Sequence, residues 1–344
     1  GDLTFFNITK KIHNALQGAN LSLSSEEEQT YLDYNKRNSE AKSIDTDIVM
    51  VHDAQPAALI HFYPKTGNRW IWRCHVDLST PNLAVWRFVE PYIARYNAAV
   101  FTAKEYVLPN LAVQTTITRP PSINPLSDKN RELADSEIQS VLNKFGMKSE
   151  QPIITQVGRF DRWKDPCGAI DVYRLVKKVF PTVQLALIGG MATDDPEGLH
   201  YFEKTARHAA EDTDIHLLLT DLKGMKDLEV NAFQRASQVV IQMSTREGFG
   251  LTVAEALWKG VPVVARRVGG IPLQIVDCEN GFLVENAEQA AERILYLLKN
   301  GEVAKQMGAS GKEYIRSKFL IISHIHDYMQ LYVDLLKKET PIEA

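Results

Sequence analysis

Between residues 153 and 265 five short apolar runs alternate with four helical patterns. The runs are Ile153–Val157, Gln184–Ile188, Ile215–Leu219, Val239–Gln242 and Val261–Ala265. The helical patterns are Cys167–Val179, Tyr201–Ala210, Leu228–Ala236 and Thr252–Lys259. A connection that holds a helix is too long for a hairpin and suits a crossover, so the strands must run parallel. The implied class is α/β, a doubly wound sheet whose ligands bind at the carboxyl ends of its strands. Three more helices are expected near Glu288–Lys299, Val303–Lys318 and Ser323–Lys338.

The first third repeats the theme less completely. Residues 1–47 are polar and mainly helical in pattern, and the serines before Glu26, Glu27 and Glu28 read as a helix start. Apolar runs follow at Ile48–Val51, Trp70–Val76, Ala98–Thr102 and Val113–Ile117. The segment RPPSINPLSDKN, residues 119–130, breaks both helix and ladder with three prolines and marks the domain boundary. A full doubly wound lobe needs on the order of 150 residues, at roughly 25–30 per βα unit. The expectation is therefore a first lobe, residues 1–120, that is small or lacks its opening strands. Self-association as a homodimer through an exposed sheet edge follows from that expectation.

Composition narrows the function classes. The 344 residues include 39 basic and 43 acidic side chains, a net charge of −4. That leaves no general basic field for nucleic acid or an anionic membrane. No apolar run approaches the ~18 residues that span a bilayer, and GDLTFFNITKK lacks a signal-peptide core. Cys74, Cys167 and Cys278 have neither zinc nor redox spacing. A cytoplasmic enzyme acting on small molecules is the expectation.

The strongest motif is TREGFGLTVAEALWKG, which follows one strand and opens a helix. Gly248 and Gly250 allow close backbone approach, and the new helix start offers free N–H groups to a phosphate. Glu247 precedes the glycines, and Glu255 lies a turn inside the helix, where a carboxylate can accept hydrogen bonds from ribose hydroxyls. The bland alternative is a glycine turn beside a surface glutamate. In QVGRFDRWKDP, Arg159 and Lys164 leave the same sheet edge, and a fork donor with a point cation suits a diphosphate. Alone, two such cations are more often merely solvated. WRCHVDLS puts His75 at a strand end, and VHDAQPAAL puts His52, Asp53 and Gln55 at another. Such side chains suit sugar hydroxyls, or else are structural in an Asx-type turn. Asp45-Thr46-Asp47 and Asp212-Thr213-Asp214 look like metal motifs but precede strands, away from the ligand edge. Asp194 and Asp195 follow a strand without ligand-spaced partners, so no metal site is expected. The phosphate cradles of ATPases and NAD enzymes are absent from the sequence.

Glu247 and Glu255 within REGFGLTVAEAL, with Arg159 and Lys164 upstream, resemble the retaining GT-B glycosyltransferases of family four. VHDAQPAALI, WRCHVDLS, PPSINPLSDKN, ITQVGRFDRWK, DDPEG, EVNAFQRAS and GGIPLQIVD narrow the resemblance to trehalose glycosyltransferring synthases and their relatives, the trehalose phosphorylases. The resemblance implies two Rossmann-like lobes with a cleft between them. Residues 1–120 would hold the acceptor glucose through His52, Asp53 and Gln55. Residues 121–319 would hold a nucleotide-activated glucose such as UDP-glucose or ADP-glucose. The last helix, 320–344, would pack back on the first lobe. Arg159 and Lys164 would contact the diphosphate, Glu247 the transferred glucose with His75 near it, and Glu255 the ribose. Gly248, Gly250, Leu251 and Thr252 would help hold phosphate, and Gly269 and Gly270 would form a second close-approach loop. Family members open with a strand and a glycine-rich loop that this sequence lacks, and several carry Glu where Leu273 or Gln274 stands here.

The implied reaction moves glucose from an NDP-glucose to glucose, giving α,α-trehalose, in one direction or both, without a metal. One rival is a phosphorylase using glucose 1-phosphate, which would have no ribose for Glu255 to hold. The other is a form that binds nucleotide without turnover.

Overall fold

The computed structural model describes every residue except 42, 64–66, 191–196, 221–224 and 338–344. The chain divides into two compact units. One comprises Gly1–Pro121 with Ile322–Ala344, the other Ser122–Thr193 with Glu197–Ile321.

In the first unit, α1 (Leu3–Leu16) and α2 (Ser25–Ala41) precede β1 (Ile48–His52), α3 (Leu59–Phe62), β2 (Arg69–Arg73), α4 (Leu83–Ile93), β3 (Ala98–Phe101) and β4 (Thr115–Thr118). Asp2 caps α1 by accepting from the Phe5 N–H at 3.0 Å. Phe5, Ile8, Ile12 and Leu16, spaced three and four apart, form its buried face. Tyr31 of α2 is fully buried, and its hydroxyl donates to the Ala54 carbonyl at 2.7 Å, tying α2 to the loop after β1. The four strands lie in the order β1-β2-β3-β4, all parallel.

The second unit holds α5 (Asp135–Lys144), β5 (Ile153–Val157), α6 (Pro166–Lys177), β6 (Gln184–Gly189), α7 (Gly198–Ala209), β7 (Ile215–Leu219), α8 (Asp227–Ala236), β8 (Val239–Gln242), α9 (Leu251–Trp258), β9 (Val263–Arg266), β10 (Gly281–Val284), α10 (Ala287–Lys299) and α11 (Gly301–Lys318). Its six strands run parallel in the order β10-β9-β8-β5-β6-β7. Strand order reverses between β5 and β8, where the chain leaves for opposite edges. Such a switch point opens a crevice at the carboxyl ends. Apolar clusters cover the sheet, one joining α6 and α10, another α9 and α11, a third α5 and α8. A sheet buried on both faces explains strands that are apolar throughout rather than alternating.

Strand β10 is missing from the sequence reading. It is four residues long and begins with Gly281, which weakens the strand signal. The glycine is required, since a Cβ there would lie 2.8 Å from the Val263 carbonyl oxygen. The chain ends its described part in α12 (Ile321–Lys337). Leu331 and Leu335 share a core with Ile71, Ala98 and Val100 of the four-stranded sheet. The Arg69 guanidinium donates to the Leu335 carbonyl at 3.1 Å.

Helix α11 meets the turn after α9 through glycines: a Cβ on Gly308 would lie 1.8 Å from the Gly260 carbonyl oxygen. Gly308→Ala must force these segments apart and is expected to cost about 1–3 kcal/mol, as overpacking does. A lowered urea midpoint for the transition of this unit checks it, and an unchanged midpoint would show that the contact yields freely.

Candidate active site

Two strands carry a glutamine at or next to their carboxyl end, and these residues organise the switch point. Gln156 of β5 is buried, accepts from the Met243 N–H at 2.9 Å and donates to the Lys164 carbonyl at 3.0 Å. It thereby joins the loop after β5 to the loop after β8. Gln242 of β8 donates to the Ser244 hydroxyl at 2.8 Å and accepts from Thr252 at 3.2 Å, so it ties its loop to the first turn of α9. The Thr245 N–H donates to the Trp163 carbonyl at 2.7 Å, a second link between the loops.

The loop after β5 is shaped by two aspartates. Asp161 is buried, and one of its oxygens accepts from the Trp163 and Lys164 N–H groups, both at 2.9 Å. Asp165 takes a left-handed conformation (φ 45°), caps α6 through the Gly168 N–H, and pairs with Arg266 of β9 at 3.0 Å. Arg266 also donates to the Met243 carbonyl at 3.1 Å. These contacts place Lys164 against Glu247, Nζ to Oε2 at 2.5 Å, with both side chains largely buried. Ser244 donates to the same carboxylate oxygen at 3.2 Å.

The glycines act as expected of close-approach positions. Gly250 caps α9 at φ 87°, a conformation costly for any residue with a Cβ. Gly270 packs on the Glu247–Phe249 segment so closely that a Cβ would lie 2.7 Å from the Gly248 carbonyl oxygen. Its N–H donates to the Glu247 carbonyl at 3.1 Å. Gly269 turns the chain at φ 52° just before it. Gln274 is buried and donates to the Phe249 carbonyl at 2.5 Å. Leu251 and Thr252 form the first turn of α9.

Arg159 stands at the end of β5, 3.3 Å from Asp161, on a cleft of about 760 Å³. Gly158, Gly189, Gly190, Thr220 and Lys129 share its lining. Glu255 is 5% exposed. One carboxylate oxygen has no hydrogen-bond partner among the described residues, and the other is 4.0 Å from the Lys129 ammonium. Burial raises its pKa, while Lys129 and Lys259 oppose the rise.

In the first unit, β1 and β2 bring His52, Asp53 and His75 to one sheet edge. The imidazoles of His52 and His75 stack with centroids 5.2 Å apart and share a 2.9 Å Nδ1 to Nε2 hydrogen bond. Asp53, at φ 60°, accepts from the His75 N–H at 2.7 Å. Burial pushes its carboxyl up to about 6, against the His75 N–H and the Arg73 charge. Gln55 lies on the following turn, where its carbonyl accepts from Asn35 at 3.2 Å. Arg73 is buried, with one guanidinium nitrogen unpaired among the described residues, and shares a cavity of about 330 Å³ with His52, His75, His324 and Tyr328.

The structure thus gathers Arg159, Lys164, Glu247, Gly248, Gly250, Leu251, Thr252, Glu255, Gly269 and Gly270 along the carboxyl edge of one sheet. His52, Asp53, Gln55 and His75 lie along the carboxyl edge of the other. Sequence reasoning passed over Gln156, Gln242, Asp161, Arg266, Arg73 and Lys129. Gln242 did leave a signal, a polar residue closing an otherwise apolar run. Asp212 and Asp214, at the amino end of β7, are both paired with Lys177, at 2.7 and 3.0 Å. Asp45 and Asp47 precede β1, and Asp194 and Asp195 lie outside the described residues.

The chain is similar to known proteins over most of its length. Residues 1–108 match the family model described as trehalose synthase, N-terminal domain, and residues 138–314 match glycosyl transferases group 1. The trehalose synthase of Pyrococcus horikoshii is 52% identical over 333 residues, covering 96% of this chain and 80% of that protein. The chain belongs to the trehalose synthase family of group 1 glycosyl transferases. The trehalose phosphorylase of Grifola frondosa is more distant, 25% identical over 95% of this chain and 51% of that protein. The fold of this family member is that of the GT-B glycosyltransferases. A solved trehalose-6-phosphate synthase matches 99% of the chain and 85% of its own length with a TM-score of 0.77 at 15% identity. Among the described residues, no helix is long and apolar enough to cross a membrane, and no group of three or more His, Cys, Asp or Glu could hold a metal ion.

For this trehalose synthase relative, the histidine pair yields a pH prediction. Desolvation, then the charges of Arg73, His52 and His324, lower the His75 pKa to about 4. A lowered histidine pKa means a neutral ring above it, so His75 should stay uncharged from pH 8 down to about 4. Imidazole NMR titration checks this, and a midpoint near the ordinary value of about 6.5 would contradict it.

Proposed function

We propose that the protein transfers glucose from an NDP-glucose to glucose with retention, forming α,α-trehalose. In this reading the six-stranded unit binds the donor and the four-stranded unit contributes the acceptor contacts His52, Asp53 and Gln55. The observation that carries it is the pairing of Lys164 with Glu247 at the switch point, beside the Gly250 start of α9. A cation, a carboxylate and free helix-start N–H groups within one pair of loops suit a sugar diphosphate.

The pairing also suggests how the donor binds. The diphosphate competes with Glu247 for the Lys164 ammonium. Once Lys164 turns to the phosphate, the Glu247 carboxylate accepts hydrogen bonds from hydroxyls of the transferred glucose. Arg159 adds a second cation, and Glu255 accepts from the ribose diol. In the transfer step the bond from glucose C1 to the diphosphate oxygen breaks, and C1 bonds to the acceptor hydroxyl oxygen on the same face. The acceptor proton passes to the departing diphosphate oxygen. Lys164 and Arg159 stabilise the charge that grows there, which is where preorganised cations act most strongly. His75, held neutral, can donate or accept a hydrogen bond without adding charge. With two cations on the diphosphate, the reading needs no metal.

A phosphorylase is the second reading, favoured only by the distant relative from Grifola frondosa. The buried, unpartnered oxygen of Glu255 argues against it, since a diol would satisfy that oxygen and phosphate would not. Titration with UDP, ADP and inorganic phosphate separates the readings. Trehalose formation from UDP-, ADP- or GDP-glucose plus glucose, assayed in EDTA, tests the first. Nucleotide binding without any trehalose would identify a non-catalytic form.

Lys164→Ala should lower kcat/KM about 10²–10³-fold, the usual cost of one oxyanion-stabilising contact; wild-type kinetics would remove Lys164 from the mechanism. The two glutamates should separate in calorimetry. Glu255→Gln is expected to weaken binding of bare UDP or ADP. Glu247→Gln should leave that affinity nearly intact and depress transfer, so a large loss of nucleotide affinity in Glu247→Gln would refute the division of roles.

A further inference from the structure

The segment from Ser127 to Glu132 is clamped to the second unit at nearly every residue. Asn231 of α8 donates to the Asp128 and Arg131 carbonyls at 2.9 and 2.8 Å. Arg235 of α8 donates to the Asn130 and Arg131 carbonyls at 3.3 and 2.9 Å and pairs with Glu132 at 2.6 Å. The Trp258 indole donates to the Asn130 carbonyl at 3.2 Å, and Lys259 donates to the Asn130 side-chain oxygen at 3.0 Å. A loop that merely joined two units would not need six side-chain hydrogen bonds and a salt bridge.

Lys129 is what the clamp delivers. Fixed carbonyls on both sides hold its backbone, and its side chain reaches the cleft beside Arg159. There Nζ lies 3.3 Å from Asp227 and 4.0 Å from Glu255. Lys259, one turn along α9 from Glu255, is directed elsewhere, to Asn130 and to the Glu255 carbonyl at 3.1 Å. Lys129 is thus the cation placed against the Glu255 carboxylate. Asp227 of α8 opposes the Glu255 carboxylate as a like charge while pairing with Lys129, and Arg235 and Glu132 stand beyond Lys259 in the same cluster.

We infer that Lys129 is a positioning residue for nucleotide recognition: it holds the buried Glu255 in its ionised form, so that both carboxylate oxygens can accept from the ribose diol. This inference rests on the donor assignment proposed above. Burial by itself drives Glu255 toward the protonated acid, and Lys129 is the largest opposing influence. A protonated carboxyl would present a hydroxyl donor to the diol where an acceptor is needed. The clamp matters because an ammonium on a free loop would stay hydrated and exert little pull.

The sign follows directly. Nucleotide affinity that needs the carboxylate is present above the Glu255 pKa and lost as the pH falls through it. Removing the Lys129 charge raises that pKa, so the loss must begin at higher pH. The Glu255 carboxyl can be followed by NMR in ligand-free, ¹³C-glutamate-labelled protein, with the resonance assigned by its absence in Glu255→Gln. Lys129→Met and Lys129→Gln should each raise the midpoint by about one pH unit, the low end for an opposite charge at this distance. Lys129→Arg should restore it. Calorimetry with UDP and ADP from pH 5 to 8 should show the acidic loss of affinity moving by the same amount, and in Glu255→Gln the affinity should be weak and should no longer shift when Lys129 is also replaced. Midpoints in the neutral variants that coincide with wild type would overturn the inference. Wild-type protein that binds neither UDP nor ADP would overturn the donor assignment instead, because the ligand-free titration reads Glu255 without any nucleotide.

Discussion

Parallel pairing of β5 with β8, through Ile154 with Val239 and Thr155 with Val240, is the constraint on which the second unit turns. These strands are separated in sequence by two complete βα units, and their adjacency puts the loops Gly158–Asp165 and Met243–Gly250 side by side. Gln156 then bridges the loops across a gap that only neighbouring strands could present. Lys164 meets Glu247 as the outcome of that geometry. A glutamine in this place is costly to bury unless its donor and acceptor are both used, and here both are.

Other buried polar side chains hold the loops of the site in the same way. Asp161, Asp165, Gln242, Gln274 and Arg266 spend their hydrogen bonds on backbone groups and on one another, and so hold the loops still. Glu255 and Arg73 are each buried with an unpaired side-chain atom among the described residues, as are Asp161, Arg266 and Gln274 at a second atom. Buried polar atoms without partners cost roughly 1–3 kcal/mol each, and such costs gather where a fold keeps contacts for something else. The largely buried salt bridge between Lys164 and Glu247 belongs to the same logic. It keeps two charges compensated while the site is empty, and either partner can be drawn away by a ligand of the right charge.

Much of this was legible in the chain. The alternation of runs and helical patterns from Ile153 to Ala265 specified a parallel sheet, because parallel strands need helical crossovers. The position of each motif after a strand, rather than before one, separated Arg159, Lys164, Glu247 and His75 from Asp212 and Asp214, which Lys177 neutralises at the opposite edge. Strand β10 was not legible, since its four residues begin with a glycine that is present for close packing against β9. Lys129 was equally hidden. In the sequence it is one lysine in a proline-broken linker, and its relation to Glu255 exists only because α8 and α9 grip the linker from two sides.

Local chemistry is therefore what the sequence determined alone: which segments become strands, which glycines open turns, which side chains stand at strand ends. These depend on periodicity, on φ and on residue type, all properties of near neighbours. Strand order was decided by the tertiary structure, because pairing of β5 with β8 rather than β7 depends on how crossovers of similar length pack their apolar faces. Charge state was decided there too. The raised pKa of Glu255 and the lowered pKa of His75 both follow first from burial, and the contact of Lys164 with Glu247 joins residues far apart in sequence, and neither can be counted along a chain.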